Sequence, residues 1–223
     1  MTPEELRERL ISRKSAERRS AAKLIGKAQL TSLSDPLLTA YLKERGDKRS
    51  WETQVEMIKA IGRLNYKPAL PEMEALVLQN NPFDTITIFA ARTYVQLRRT
   101  SLNDGGPVLQ LLPSARISVL TGILMALSTD RMMPDREDCK TIIRACWDAN
   151  AHTDRNDNEY GLTDPRIYLA NACAGWDKQL TAGFLHHCIS TAFVTLPSGK
   201  RVEDKALTDI CKKALSGKYC KVD

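Results

Sequence analysis

The residues best suited to metal or nucleophile chemistry are six cysteines (Cys139, Cys146, Cys173, Cys188, Cys211 and Cys220) and three histidines (His152, His186 and His187), all in the C-terminal half. The one cluster with ligand character is His186-His187-Cys188, completed by Cys173 or His152. Adjacent residues on a helix point about 100° apart and seldom ligate one ion together. No cysteine pair has the two-residue spacing of redox or zinc sites, so the thiols read as small buried hydrophobes and no metal or cofactor is expected. Asp154, Asn156 and Asn158 alternate as in a calcium loop. Glu159 stands where the sharp turn needs glycine, and Pro165 where a bidentate glutamate is required. The stretch 152–161 therefore reads as a polar connector ahead of a helix begun by Thr163-Asp164-Pro165. Pro197-Ser198-Gly199-Lys200 lacks the first glycine of a phosphate loop. Trp147-Asp148 and Trp176-Asp177 each set a large π-face beside a carboxylate, with Arg144, Arg155 and Arg166 near in sequence. No histidine stands in a recognisable serine, cysteine or aspartate signature, and the chain is not expected to be an enzyme.

The elements that must position these residues announce themselves by repetition. Ser20-Ala21-Ala22-Lys23-Leu24-Ile25-Gly26-Lys27 and Glu56-Met57-Ile58-Lys59-Ala60-Ile61-Gly62-Arg63 lie 36 residues apart with small, basic, apolar and glycine positions in register. Phe89-Ala90-Ala91-Arg92-Thr93-Tyr94-Val95-Gln96 follows 33 residues on and keeps the cation while losing the glycine. Val119 to Ala126 retains only the apolar rhythm. Periods in this range mark stacked helical pairs, whose neighbours bury each apolar face. Second helices are predicted at 33–46, 67–79, 104–112 and 134–151, two of them with a proline in the first turn, Pro36 and Pro71. Trp51, Val55, Ile58, Ile61 and Leu64 step by three and four as one buried stripe, with Glu52, Glu56, Lys59 and Arg63 opposite. Strand signals are nearly absent; Ala192 to Leu196 followed by Pro-Ser-Gly is the sole hairpin-like stretch. An all-α chain is predicted.

The run Arg18-Arg19-Ser20-Ala21-Ala22-Lys23-Leu24-Ile25-Gly26-Lys27 resembles the first-helix motif of HEAT repeats, with Arg18 at the position of the motif's arginine. Gln54 replaces that arginine in the second unit. The resemblance, loose over residues 13–150, implies a right-handed α-solenoid of about five helical pairs forming a single domain over 1–223. Its repeats would fall at about 13–46, 49–80, 82–113 and 114–151, closed by an atypical pair within 164–223. It further implies a non-catalytic binding scaffold, of the bacterial adaptor, inhibitor or immunity type, that recognises a protein over an extended surface. Some alkylpurine DNA glycosylases are similar HEAT-like solenoids with an aromatic and aspartate site, so a DNA- or RNA-binding solenoid, with the Trp-Asp pairs as its chemistry, is the alternative.

Charge is uneven along the chain: +6 over residues 1–67, −3 over 68–197 and +3 over 198–223. Repeat register makes Lys23, Lys59 and Arg92 equivalent, and pairs Lys27 with Arg63. Stacking would align these five cations as a ladder on one face, the candidate binding surface. The charged start, Met1-Thr2-Pro3-Glu4-Glu5-Leu6, has no signal-peptide character and no segment reaches about 18 apolar residues, so a cytoplasmic protein without membrane attachment is expected.

Overall fold

A computed structural model describes residues 1–147, 164–195 and 198–222. Among these the chain forms twelve α-helices and one two-stranded ribbon, and the all-α expectation holds. No helix among the described residues is long and apolar enough to cross a membrane. The chain divides into two compact units, Met1–Asn80 with Asp84–Arg98, and Asn81–Phe83 with Arg99–Asp223.

The first unit holds α1 (Pro3–Leu10), α2 (Ser15–Ala28), α3 (Ser34–Glu44), α4 (Trp51–Arg63), α5 (Leu70–Gln79) and α6 (Thr85–Arg98). Helix α4 packs against both α2 and α6, while α1, α3 and α5 lie on α2, α4 and α6 respectively. Each of these three helices thus has the helix that follows it as its main partner. The repeated octapeptides are the middles and ends of α2, α4 and α6, and their small residues explain the spacing of the helices. Ala21, Ala22, Ala60, Ala90 and Ala91 are wholly buried, as are Ile25, Ile58 and Ile61. Burying each isoleucine contributes about 1.5–3 kcal/mol.

The two glycines sit where the next helix comes closest. A Cβ on Gly26 would stand 2.8 Å from the Cα of Ala60, and one on Gly62 would stand 3.0 Å from Thr93 Oγ1 and collide with the Gln96 carboxamide. Both helices also end alike. Gln29 and Asn65, 36 residues apart, take left-handed φ of 52° and 49°. The following N–H groups then reach back five residues, Leu30 to the Ile25 carbonyl at 3.1 Å and Tyr66 to the Ile61 carbonyl at 3.2 Å. Such a reversal satisfies carbonyls that the helix end leaves open. In α6 the glycine position is Val95, and α6 is the last helix of this unit.

The second unit contains α7 (Gly106–Leu111), α8 (Ile117–Thr129), α9 (Arg136–Cys146), α10 (Arg166–Ala172), α11 (Lys178–Thr191) and α12 (Lys205–Leu215). Helix α8 is buried from Ile117 through Ser128, as a helix apolar on all sides must be. Its neighbours include α7 and α10; α10 and α11 in turn pack on α12. Strands β1 (Phe193–Thr195) and β2 (Arg201–Glu203) pair antiparallel with Phe193 opposite Glu203, so the hairpin-like stretch is a hairpin. Gly199, at φ +77°, supplies a left-handed residue to its turn.

Candidate functional site

The five cations of the expected ladder all fall in the first unit, on α2, α4 and α6, but they are not equivalent in exposure. Lys23, Lys27 and Arg63 are exposed. The aliphatic part of Arg63 reaches α2 at Gly26, its Cδ 3.4 Å from where a Cβ there would stand. Lys27 and Arg63 occupy last turns, the negative ends of their helix dipoles. Lys59 is drawn inward. Its ammonium lies 2.6 Å from Glu56 Oε1 and 5.3 Å from the centre of the Phe89 ring. Arg92 is half-buried.

Carboxylates are interleaved with these cations. Between α2 and α4 lies a cleft of about 550 Å³ lined by Arg19, Lys23, Trp51, Glu52, Val55 and Glu56 among others. Arg19 pairs with Glu52 across it, and Glu56 Oε2 is buried with no hydrogen-bond partner. Trp51, predicted on the buried stripe, is 47% exposed at the first position of α4, directly after the turn Lys48–Ser50; Val55, Ile58, Ile61 and Leu64 are buried as predicted. Sequence periodicity assigns a face to a residue inside a helix but not at its first position. This face therefore offers charge of both signs around an aromatic side chain.

Arg18, the arginine at the HEAT-motif position, makes a contact that no local pattern announces. It donates to both oxygens of Glu44 at 2.6 and 2.7 Å and to the Ser12 carbonyl at 2.6 Å. These side chains are only 17% and 6% exposed. Gln54, its counterpart 36 residues later, instead donates to the Asp47 carbonyl at 2.8 Å.

The residues singled out for metal or nucleophile chemistry do not assemble into one site, although Cys188 and Cys211 meet. Among the described residues no three His, Cys, Asp or Glu side chains form a group able to hold a metal ion. The stretch 152–161, His152 and Asp148 lie outside the described residues. Five cysteines are buried free thiols and Cys220 is partly exposed. Burial pushes the Cys139 and Cys146 thiols up to about 12 and raises Cys173 as well. A hydrogen bond with Cys211, then burial, raises Cys188. His187 stacks on Trp147 at 5.1 Å between ring centres, leaving that indole 40% exposed. Trp176 is buried and donates its indole N–H to the Met132 carbonyl at 2.9 Å. Asp177 caps α11 through Gln179 N at 2.9 Å and pairs with Arg136. Those roles hold its carboxyl below the usual range, the backbone hydrogen bond from Gln179 foremost.

No protein-family model, curated protein or solved structure matches this chain. Its class rests on its own geometry, that of an all-helical protein in two compact units.

Proposed function

We propose that the chain is a non-enzymatic scaffold, a right-handed HEAT-like α-solenoid, that binds another protein through the surface of α2 and α4. Support for the repeat reading comes from the 36-residue recurrence of a close-packed glycine and a left-handed helix end at equivalent positions. The observation that carries the binding reading is the mixture on that surface: exposed Lys23 in one cleft with Glu52, Glu56 and exposed Trp51, and exposed Lys27 and Arg63 in the last turns of the same two helices. Tryptophan and arginine are the side chains that most often dominate protein interfaces. A polyphosphate favours a field of one sign, and Glu52 and Glu56 oppose it. The partner that fits is a protein with an acidic patch and a few matching cations.

The test compares wild type with K23E/K27E/R63E. The immobilised proteins are exposed to nuclease-treated host lysate, and a short DNA duplex is titrated separately between about 50 and 200 mM salt. A stoichiometric protein retained by wild type and lost by the variant, with circular dichroism unchanged, is the expected result. Retention of every captured protein by the variant removes this surface from the site. DNA binding that falls steeply with salt and disappears in the variant replaces the proposal with the nucleic-acid reading.

A further inference from the structure

The first unit encloses a second space, a cavity of about 590 Å³ between the end of α1 and the length of α3, with Arg18 of α2 in its wall. Helix α3 contributes mostly short residues there, Pro36, Thr39 and Ala40, so the two helices leave room between them. Helix α1 contributes Leu10 and its C-cap Ile11. Leu10 and Ala40 are buried, whereas Ile11 is 74% exposed. A mostly apolar space of this size with a few polar groups is the usual form of a small-molecule site.

The polar groups are specific. Glu44 accepts from Arg18 Nε and Nη2 at 2.6 and 2.7 Å, and the Ser12 carbonyl accepts from Nη1 at 2.6 Å. A guanidinium carries five N–H donors, so these bonds leave Arg18 with one N–H on each terminal nitrogen. A nearly buried carboxylate and a backbone carbonyl already fix the fork, and a ligand has no freedom of that side chain to remove.

Glu44 offsets the charge of Arg18, so the remaining charged walls set the sign of the site. Arg7 and Lys43 are exposed cations without an ion pair among the described residues. The opposing carboxylates are Glu8 and Asp35. Asp35 accepts the Tyr66 hydroxyl and stands in the first turn of α3, where the helix dipole favours a negative charge. Arg7 and Lys43 are then opposed by Glu8 alone.

We propose that this cavity binds a small amphipathic monocarboxylate. Its head accepts the two remaining Arg18 N–H groups in the field of Arg7 and Lys43, and its apolar chain lies against Leu10, Pro36 and Ala40 and covers Ile11. Paired N–H donors of a guanidinium match the two oxygens of a carboxylate. An alcohol head would leave the two cations unmatched, and an amine head would be repelled by them. The site is separate from the α2 and α4 surface, because Lys23, Lys27 and Arg63 do not line it, and K23E/K27E/R63E should bind the ligand as wild type does.

The probe is decanoate, with decanol and decylamine as controls of equal chain length, each displacing a dansyl-labelled fatty acid from the full chain. Decanoate is expected to bind once per chain, at least about tenfold more tightly than either control, and to shift the NMR signals of Leu10, Ile11 and Ala40. R7E/K43E, both at exposed positions, should weaken decanoate by at least about tenfold and leave decanol unchanged. R18M/E44M removes the donors and should bring decanoate down to the level of decanol. T39W, also at an exposed position, fills the cavity and should abolish binding of all three with circular dichroism unchanged. R7E/K43E and T39W keep the test decisive if R18M/E44M does not fold. Absence of saturable decanoate binding at millimolar concentration overturns the proposal. So does decanol or decylamine binding as tightly as decanoate, binding that survives T39W, or signal shifts spread through both units as for a detergent.

Discussion

Replacing Gly26 by alanine tests the packing of α2 on α4 directly. In an exposed helix the change stabilises by about 0.8–1 kcal/mol through helix propensity. Here the added methyl would stand 2.8 Å from the Cα and 2.9 Å from the Cβ of Ala60, well inside ordinary contact. The atoms it meets are backbone and a Cβ, which cannot rotate away, so α2 and α4 must separate. Overpacking of this kind costs about 1–3 kcal/mol. Because no flexible atom absorbs the strain, the upper part of that range applies, and the net loss is about 1–2 kcal/mol after subtracting the propensity gain. G62A meets the mobile end of Gln96 as well as Thr93 and should lose less, while G46A, with nothing within 4 Å, should stay within about 0.5 kcal/mol of wild type. Urea unfolding followed by fluorescence suits the comparison, since Trp51 is the only tryptophan among residues 1–98. Equal or greater stability of G26A would refute the close approach as the reason for the repeated glycine.

Three further outcomes are expected. Native protein treated with iodoacetamide at pH 8 should be modified at Cys220 alone, because a thiol near 12 is thiolate in only about one molecule in ten thousand at that pH and Cys139 and Cys146 are also buried; peptide mass spectrometry showing labelling at either contradicts this. E44A should destabilise by about 3 kcal/mol, since it strands the largely buried Arg18 guanidinium, whereas R18M/E44M should recover most of the loss in the same urea titration. Asp104 accepts hydrogen bonds from Thr100 N and Gly106 N, the former foremost in holding its carboxyl below the usual 3.8. A depressed carboxyl stabilises the fold above its unfolded value and ceases to do so as pH falls through the folded one. The melting advantage of wild type over D104N should therefore be full above about pH 4 and shrink below it; an advantage independent of pH would remove the charge from the account.

Much of the helix placement was legible in the residues. Helix stripes depend on a 3.6-residue period, and turn residues act on their own φ and ψ, so α3, α5, α7 and α9 fall within or near the predicted spans. The recurrence of Ile-Gly was legible as a repeat, and its reason came from the packing, since only a missing Cβ lets two helices approach so nearly at Gly26 and Gly62. Buried cysteines were also readable from their spacing.

What the tertiary structure decided is which long-range partners meet. The ladder cations share one register, yet Lys59 is taken up by Glu56 and Phe89 while Lys23, Lys27 and Arg63 stay in water. Register alone cannot distinguish them, because exposure depends on the neighbouring helix. Trp147, the residue after α9, is stacked on His187 and partly exposed. Arg18 with Glu44, Trp176 with Met132 and Asn171 with Cys220 join residues 26, 44 and 49 positions apart. Local preference governs dihedral angles over a few residues; a carboxamide or guanidinium finds its partner only when distant helices are already packed, and no periodicity in the chain records that meeting.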